Sequence, residues 1–376
     1  MFHRCETSGK NITYMEKHME TKSNMSKFQH TGRVGILYLA LAIFLMLAGC
    51  GSPIAPDTSL IQIQSPQPVI FDTDMAHEDM FSALFLLSHP NVDVRAITVT
   101  GTGEAHCEPG VENALGLVAV SGHVDIPIAC GRETPLAGNH VFPAEWREGA
   151  DKAYGRPIAA GSEASELSAP DLIIDILRSS DEPVTIVAVG PLTNIAEVIQ
   201  KEPGIIADIK EIYIMGGAVK VEGNVGISGV GIDNKYAEWN IYIDPVAANV
   251  VFSSGAPITL VPLDATRYVP VTRRFYSTLG NNLNTPAANV VYELLTANLD
   301  FVSSGGFQFW DSLTSAIFTD PSIATFEEFQ LTVVEEEGPE SGRTQPDPNG
   351  PNIRVAMNAN QSRFEQIFLT ILNWEN

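Results

Sequence analysis

The stretch PVIFDTDMAHED (68–79), running into MFSALFLLSHP (80–90), decides how the chain is read. PVIF is a short, continuous apolar run with no polar alternation. That pattern predicts a strand buried on both faces, as in a parallel sheet. MFSALFLLSHP predicts the start of a helix. Between them stand Asp72, Asp74, Glu78 and Asp79, four carboxylates within eight residues. In open α/β sheets, ligands bind beyond the carboxyl ends of the strands. The acids therefore sit where a site is expected.

Outward from this stretch the alternation repeats. Strands are predicted at VRAITVT (94–100), IPIAC (126–130), VTIVAVG (184–190), EIYIMGG (211–217) and PITLVPL (257–263). Between them VENALGLVAVSG (111–122), DLIIDILRSS (171–180), TNIAEVIQKEP (193–203) and DPVAANVVFSSG (244–255) predict helices. Strand–helix alternation argues for right-handed crossovers and a parallel sheet. The end of the chain differs. FQLTVVEEE (329–337) and IRVAMNA (353–359) suggest an antiparallel pair, and QSRFEQIFLTILNW (361–374) a closing amphipathic helix. The expected fold class is α/β: a mostly parallel central sheet flanked by helices, open and Rossmann-like, with a small antiparallel C-terminal element. Residues 68–376 show no internal repeat and no boundary, so they are expected to form one domain.

The N-terminal part has another character. Residues 34–49, VGILYLALAIFLMLAG, follow Lys27 and Arg33 and precede Cys50. A basic region, an apolar core and small residues before a cleavage point mark a secretory signal. Leu47-Ala48-Gly49-Cys50 resembles the bacterial lipobox, in which the cysteine takes the lipid. Residues 1–49 are thus expected to be a lipoprotein signal peptide. Residues 50–67, rich in Ser, Pro and Gln, would be a flexible tether. The domain would lie outside the cytoplasm, held to the membrane through Cys50; an uncleaved anchor would leave it on the same side. Met25 is an alternative start. Cys107 and Cys130 remain, and an oxidising compartment permits a disulfide between them without deciding it. No CxxC or Cys/His spacing suggests zinc.

The formal net charge is −23. Such a surface repels nucleic-acid phosphates, so a DNA or RNA partner is not expected. Small neutral ligands and divalent cations are compatible. The acid cluster after the first strand is costly unless a positive charge neutralises it. A hard cation with oxygen ligands, Ca²⁺ or Mg²⁺, answers that need; a solvated acidic turn capping the next helix is the plainer reading. A DxD after a first strand also occurs in aspartyl-phosphate phosphatases, but Met75-Ala76 stands where their Gly-Thr would fall. An EF-hand loop fails as well: counted from Asp72, its sixth position is His77 rather than Gly, and its twelfth is not Glu.

Four blocks in order resemble the inosine-uridine-preferring nucleoside hydrolase family, spanning about residues 68–374. They are DTDMAHED (72–79), VGPLTN (189–194), IMGGAVKVEGN (214–224) with AEWNIYIDP (237–245), and FWDSL (309–313). The resemblance implies hydrolysis of the N-glycosidic bond of ribonucleosides, with Ca²⁺ as cofactor. It implies Asp74 as general base and metal ligand. Asp79, Asp311 and the carbonyl of Val189 would be the other metal ligands. Glu78, Asn224, Glu238 and Asn240 fall where the family grips ribose hydroxyls, Met215 would line the pocket, and Asp72 would order the loop. A homo-oligomer is also implied. In such chemistry the cation positions the sugar and acidifies a water, and a general base takes the proton. The sugar passes through an oxocarbenium-like state.

The chain departs from the family pattern in places. Met75-Ala76 replaces Pro-Gly, and Glu78 replaces Asp. The loop GISGVGIDNKYA (226–237) is longer than in many members, which bears on Asn224. Glu104 stands near where the family often has Asn. Trp310 stands where some members carry a His that donates a proton to the leaving base, which an indole N–H cannot do. Members with an aromatic residue there look purine-preferring, so a purine preference is expected, with Trp310 stacking on the base. Trp146, in FPAEWREG (142–149), is expected to form a second wall on a mobile loop. Packing in the core or a lid is the plainer reading of both tryptophans. His77 is expected in an exposed loop, and His106 and His140 have no partner that sequence identifies. A reading from another class stays open: an extracytoplasmic nucleoside- or sugar-binding lipoprotein without turnover. The presence of Asp74, Asp79 and Asp311 together favours the enzyme.

Overall fold

Strand β1 (Gln67–Thr73) is paired in parallel on both sides, with β2 (Val92–Val99) and with β4 (Val184–Ala188). Around this centre the computed structural model builds one nine-stranded sheet. The remaining strands are β3 (Ile128–Cys130), β5 (Ile209–Met215), β6 (Ile258–Val261), β7 (Ala324–Val333), β8 (Thr344–Pro346) and β9 (Asn352–Ala359). Their order is β3-β2-β1-β4-β5-β6-β9-β7-β8. The structure describes residues 58–375 apart from Val124 and Ala160, and these belong to one compact unit, Pro53–Asn376. The expected signal peptide, the lipidation site Cys50 and the start of the tether lie outside the described residues.

The run from β3 to β6 has the doubly wound order, with the direction of winding reversing between β1 and β4. Continuous apolar strands make this possible because helices cover both faces. Val69 and Phe71 point into one buried cluster with the helix His77–Ser88, and Ile70 points into the other with Ile186 and Ile212. The end of the chain is antiparallel as expected: β7 pairs with β9 from Ala324↔Ala359 to Gln330↔Asn352, and β8 adds to β7. Strand β9 itself joins β6 in parallel.

Several expectations need correction. The helix after β1 begins at His77, three residues before the apolar run, because the carboxylate of Asp79 turns back to accept the N–H of Ala76 (3.1 Å) and closes the first turn. His77 is therefore not in an exposed loop; its ring stacks on Tyr154 with centroids 3.2 Å apart. The strand expected at 126–130 is only Ile128–Cys130. The region between β6 and β7, left without elements, is helical over Arg273–Gly280, Pro286–Ala297, Leu299–Ser304 and Trp310–Thr319. Cys107 and Cys130 are joined by a disulfide, with Cα atoms 5.5 Å apart. It ties the start of the helix Cys107–Val120 to the end of β3. His106 and His140 also have partners: Asp151 at 2.8 Å and Glu337 at 3.0 Å.

Candidate active site

At the reversal between β1 and β4 lies a cavity of about 620 Å³. It is lined by every residue expected to form the site: Asp74, Glu78, Asp79, Trp146, Val189, Met215, Asn224, Glu238, Asn240, Trp310 and Asp311. These come from well-separated parts of the chain. Asp74 leaves the end of β1, Val189 the end of β4 and Met215 the end of β5. Asn240 sits in the short helix Trp239–Ile243, and Asp311 in the first turn of Trp310–Thr319.

The acid loop is held by its own hydrogen bonds. One oxygen of Asp79 accepts the hydroxyl of Thr73 and the N–H of Asp74 (3.0 Å). Met75 takes a left-handed backbone, φ +59°, while fully buried. A non-glycine residue there is strained and persists only where its surroundings fix it. Asp74 accepts the N–H of Glu104 at 3.0 Å. That approach requires Gly103, since a Cβ there would stand 2.0 Å from the Cβ of Asp74. Asp72 is turned away from the cavity and ties the sheet together: it accepts from Thr98 (2.5 Å) and from Asn194 of the GPLTN turn (2.8 Å).

The opposite wall of the cavity is also fixed. Glu238 caps its helix by accepting the N–H groups of Asn240 (3.0 Å) and Ile241 (3.2 Å), and it also accepts that of Gly217 (2.9 Å). The side chain of Asn224 accepts the N–H of Trp239 at 3.1 Å, so the long loop still brings it to the cavity. Trp146 lies on the helix Ala144–Asp151 rather than on a loop, edge-on to Trp239 at 5.2 Å. Sequence reasoning missed Phe142, Tyr154, Trp239, Asn298 and Phe301 in the lining. Trp239 could have been found, because it stands between two motif residues; the others carry no local signal.

Electrostatics sets the character of the site. Burial, and then the charge of neighbouring acids, raises the carboxyls of Asp74, Glu78 and Asp311 well above their usual range. Asp79 and Glu238 are raised by burial, offset in part by the donors they accept. Burial takes Glu104 to about 7 and Asp72 to about 7. No lysine or arginine among the described residues lines the cavity. The nearby guanidinium of Arg147 donates instead to the carbonyl of Gly101 at 2.9 Å. Among the described residues no three His, Cys, Asp or Glu side chains form a ready-made metal cage. The available donors are nonetheless those a hard cation takes: carboxylate oxygens and the carbonyl of Val189. Crowded acids with no cationic side chain among them fit such an ion, since only protons or a cation can balance their charge.

The family model described as inosine-uridine preferring nucleoside hydrolase matches residues 69–366. The pyrimidine-specific ribonucleoside hydrolase RihA of Escherichia coli is 34% identical over 245 residues, covering 62% of this chain and 72% of that protein. RihA of Citrobacter koseri is 36% identical over the same length. Among solved structures, the purine-preferring ribonucleoside hydrolase of Gardnerella vaginalis superposes with a TM-score of 0.71 at 28% identity, covering 82% of this chain and 98% of that one. The inosine-uridine preferring nucleoside hydrolase of Bacillus anthracis gives 0.74 at 24% identity, over 82% and 100%, a likeness of fold.

Proposed function

The chain belongs to the inosine-uridine preferring nucleoside hydrolase family, and from that premise we propose that it is a calcium-dependent ribonucleoside hydrolase with a preference for purine nucleosides. One observation carries the site assignment: Asp74, Glu78, Asp79, Glu104, Glu238 and Asp311 share one cavity at the doubly wound sheet's point of reversal.

The reaction adds water across the bond between C1′ of ribose and the base nitrogen. The C1′–N bond breaks ahead of attack, and its electron pair leaves with the base. The water oxygen bonds to C1′, and Asp74 accepts the proton that water loses. A second proton, taken from solvent, completes the free base, and Asp74 releases to solvent the one it accepted, so that one water is consumed overall. Asp74, Asp79, Asp311 and the Val189 carbonyl are the residues that would hold Ca²⁺, which would supply orientation of the sugar and acidification of water. Glu78, Asn224, Glu238 and Asn240 grip the ribose hydroxyls, which fixes the reacting carbon against Asp74. The ring of acids favours positive charge developing on the sugar. Met215 lines the pocket. Trp310 and Trp146 offer aromatic faces to the base. Because Trp310 cannot donate the second proton, that proton comes from elsewhere, such as solvent.

The lipobox-like Leu47-Ala48-Gly49-Cys50 supports a lipoprotein tethered outside the cytoplasm, with residues 1–49 removed, 50–67 as tether and 68–376 as the catalytic domain. Loss of membrane fractionation on Cys50→Ala tests the anchor, and light scattering of the soluble domain tests the homo-oligomer. The activity is tested by ribose release from inosine, adenosine, guanosine, uridine and cytidine, each with Ca²⁺ and with chelator. Release lost with chelator and in Asp74→Ala supports the assignment. Calcium and nucleoside binding with no release from any of the five would overturn it in favour of a binding protein.

A further inference from the structure

Three consecutive residues, Ala153, Tyr154 and Gly155, have left-handed backbones, with φ of +46°, +50° and +83°. Glycine accepts this freely, but alanine and tyrosine do not. Adjacent strained residues persist only where the surroundings over-determine them, and such places concentrate at functional sites. Here the surroundings are explicit. Asn113 donates to the carbonyl of Ala150 (2.9 Å), Arg147 to that of Gly101 (2.9 Å), and the N–H of His106 to Asp151 (2.9 Å). The segment 144–155 is thereby docked on the loop after β2, which carries Glu104.

The strained backbone delivers one side chain into the cavity. The phenol of Tyr154 donates to Glu104 at 2.7 Å, while its ring stacks on His77. The N–H of Glu104 in turn donates to Asp74 at 3.0 Å. A continuous chain of contacts therefore runs from Tyr154 through Glu104 to Asp74. We propose that Tyr154 is a positioning residue for Asp74, acting through Glu104. The inference rests on the assignment of Asp74 as general base and metal ligand. With its phenol in place, the Glu104 carboxylate is fixed on the cavity wall, and its main chain holds one Asp74 oxygen. The Asp74 carboxyl also lies against that of Asp79, the neighbouring residue assigned to the cation. Because the device acts on Asp74 rather than on the base, its removal affects all nucleosides alike.

Tyr154→Phe keeps the ring and its stacking and removes only the donor. The expected result is a fall in kcat of about ten- to a hundred-fold, the scale of a misplaced catalytic group, equal across the nucleosides, with KM nearly unchanged and the melting temperature close to that of the parent. Calorimetric titration with Ca²⁺ alone is expected to show a several-fold weaker affinity. Glu104→Gln retains an acceptor for the phenol and is expected to lose less than Glu104→Ala. Adding Tyr154→Phe to Glu104→Ala is expected to cost little more. The proposal is overturned by parental kcat and Ca²⁺ affinity in Tyr154→Phe, by a loss confined to the KM of one base, or by additive losses in the double variant. Ca²⁺ binding by the parent without ribose release overturns the functional assignment instead, and the Ca²⁺ affinity of Tyr154→Phe still decides the role of Tyr154.

Discussion

The side-chain amide of Asn240 donates to the carbonyl of Val189 at 2.8 Å. This bond joins the helix after the long loop to the turn at the end of β4, across the floor of the cavity. A carbonyl has two lone pairs, so Val189 can accept this bond and still face a cation. Asn240→Asp replaces the donor with an acceptor and sets two oxygens against each other in a buried place. The expected cost is about 1–3 kcal/mol of stability, read as a lower urea midpoint. Ribose release should fall by more than the loss of folded protein accounts for. An unchanged midpoint would remove the structural role of this contact.

The raised acids make stability depend on pH in a defined direction. Asp72 rises from the usual 3.8 to about 7 on burial. Between these values the unfolded chain has released the proton and the folded chain keeps it, so stability falls as pH rises through the window. His77 and His89, lowered by burial from 6.5 to about 4, act oppositely. They remove stability as pH falls from 6.5 towards 4, because only the unfolded chain takes up their protons. In chelator, the melting temperature should therefore fall on going from pH 6.5 to 7.5, where the histidines no longer oppose it. Ca²⁺ should reduce that fall. Asp72→Asn should remove up to about 1.4 kcal/mol per pH unit from the slope between pH 4 and 7. An unaltered slope would place the proton uptake on other groups.

The disulfide closes a loop with a sequence separation of 23 and clamps the base of the segment that carries Glu104. Constraining the unfolded chain over such a loop is worth about 2–4 kcal/mol. Cys107→Ser with Cys130→Ser should lower the unfolding midpoint accordingly. Reductant should have the same effect on the parent and none on the double variant. Equal midpoints for both proteins under oxidising conditions would mean that the bridge contributes nothing.

The parts that sequence revealed share a physical cause. PVIF and its sister runs are continuous because helices cover both faces of the sheet, and the acids at the end of β1 are recognisable because a buried strand aims them at one rim. What stayed hidden depends on contacts between distant segments. His77 looked like a loop residue because its covering partner, Tyr154, lies 77 positions away on a left-handed turn with no glycine until Gly155. The pairing of Cys107 with Cys130 follows from β2 lying beside β3, with Val99 opposite Cys130, a register that spacing alone does not give. The helices over 273–319 do carry local signals, Thr285-Pro286 at one start and the left-handed Gly305 at one end; what they lack before FWDSL is any chemistry-bearing motif to draw the reading there.

The last expectation is the choice of base, and Trp310 is the residue on which to test it. Its indole lines the cavity at the start of the helix Trp310–Thr319, beside Phe307 at 6.0 Å, with Phe301 also on the wall. A face of this kind favours the larger ring system of a purine, since stacking adds about 0.5–1.5 kcal/mol beyond burial. Trp310→Ala should therefore lower kcat/KM for inosine and guanosine by roughly two- to thirteen-fold, the same range expressed as a rate. Uridine should lose less, because a single ring covers less of the indole. Trp310→His should lower the purine-to-pyrimidine ratio further if the imidazole can reach a leaving pyrimidine with its proton. RihA of Escherichia coli, pyrimidine-specific, and the purine-preferring enzyme of Gardnerella vaginalis are both similar to this chain. Family membership thus leaves the base open, and the parent protein must supply the answer. Uridine turned over far better than inosine and guanosine by the parent would sink the purine preference and assign Trp310 to packing.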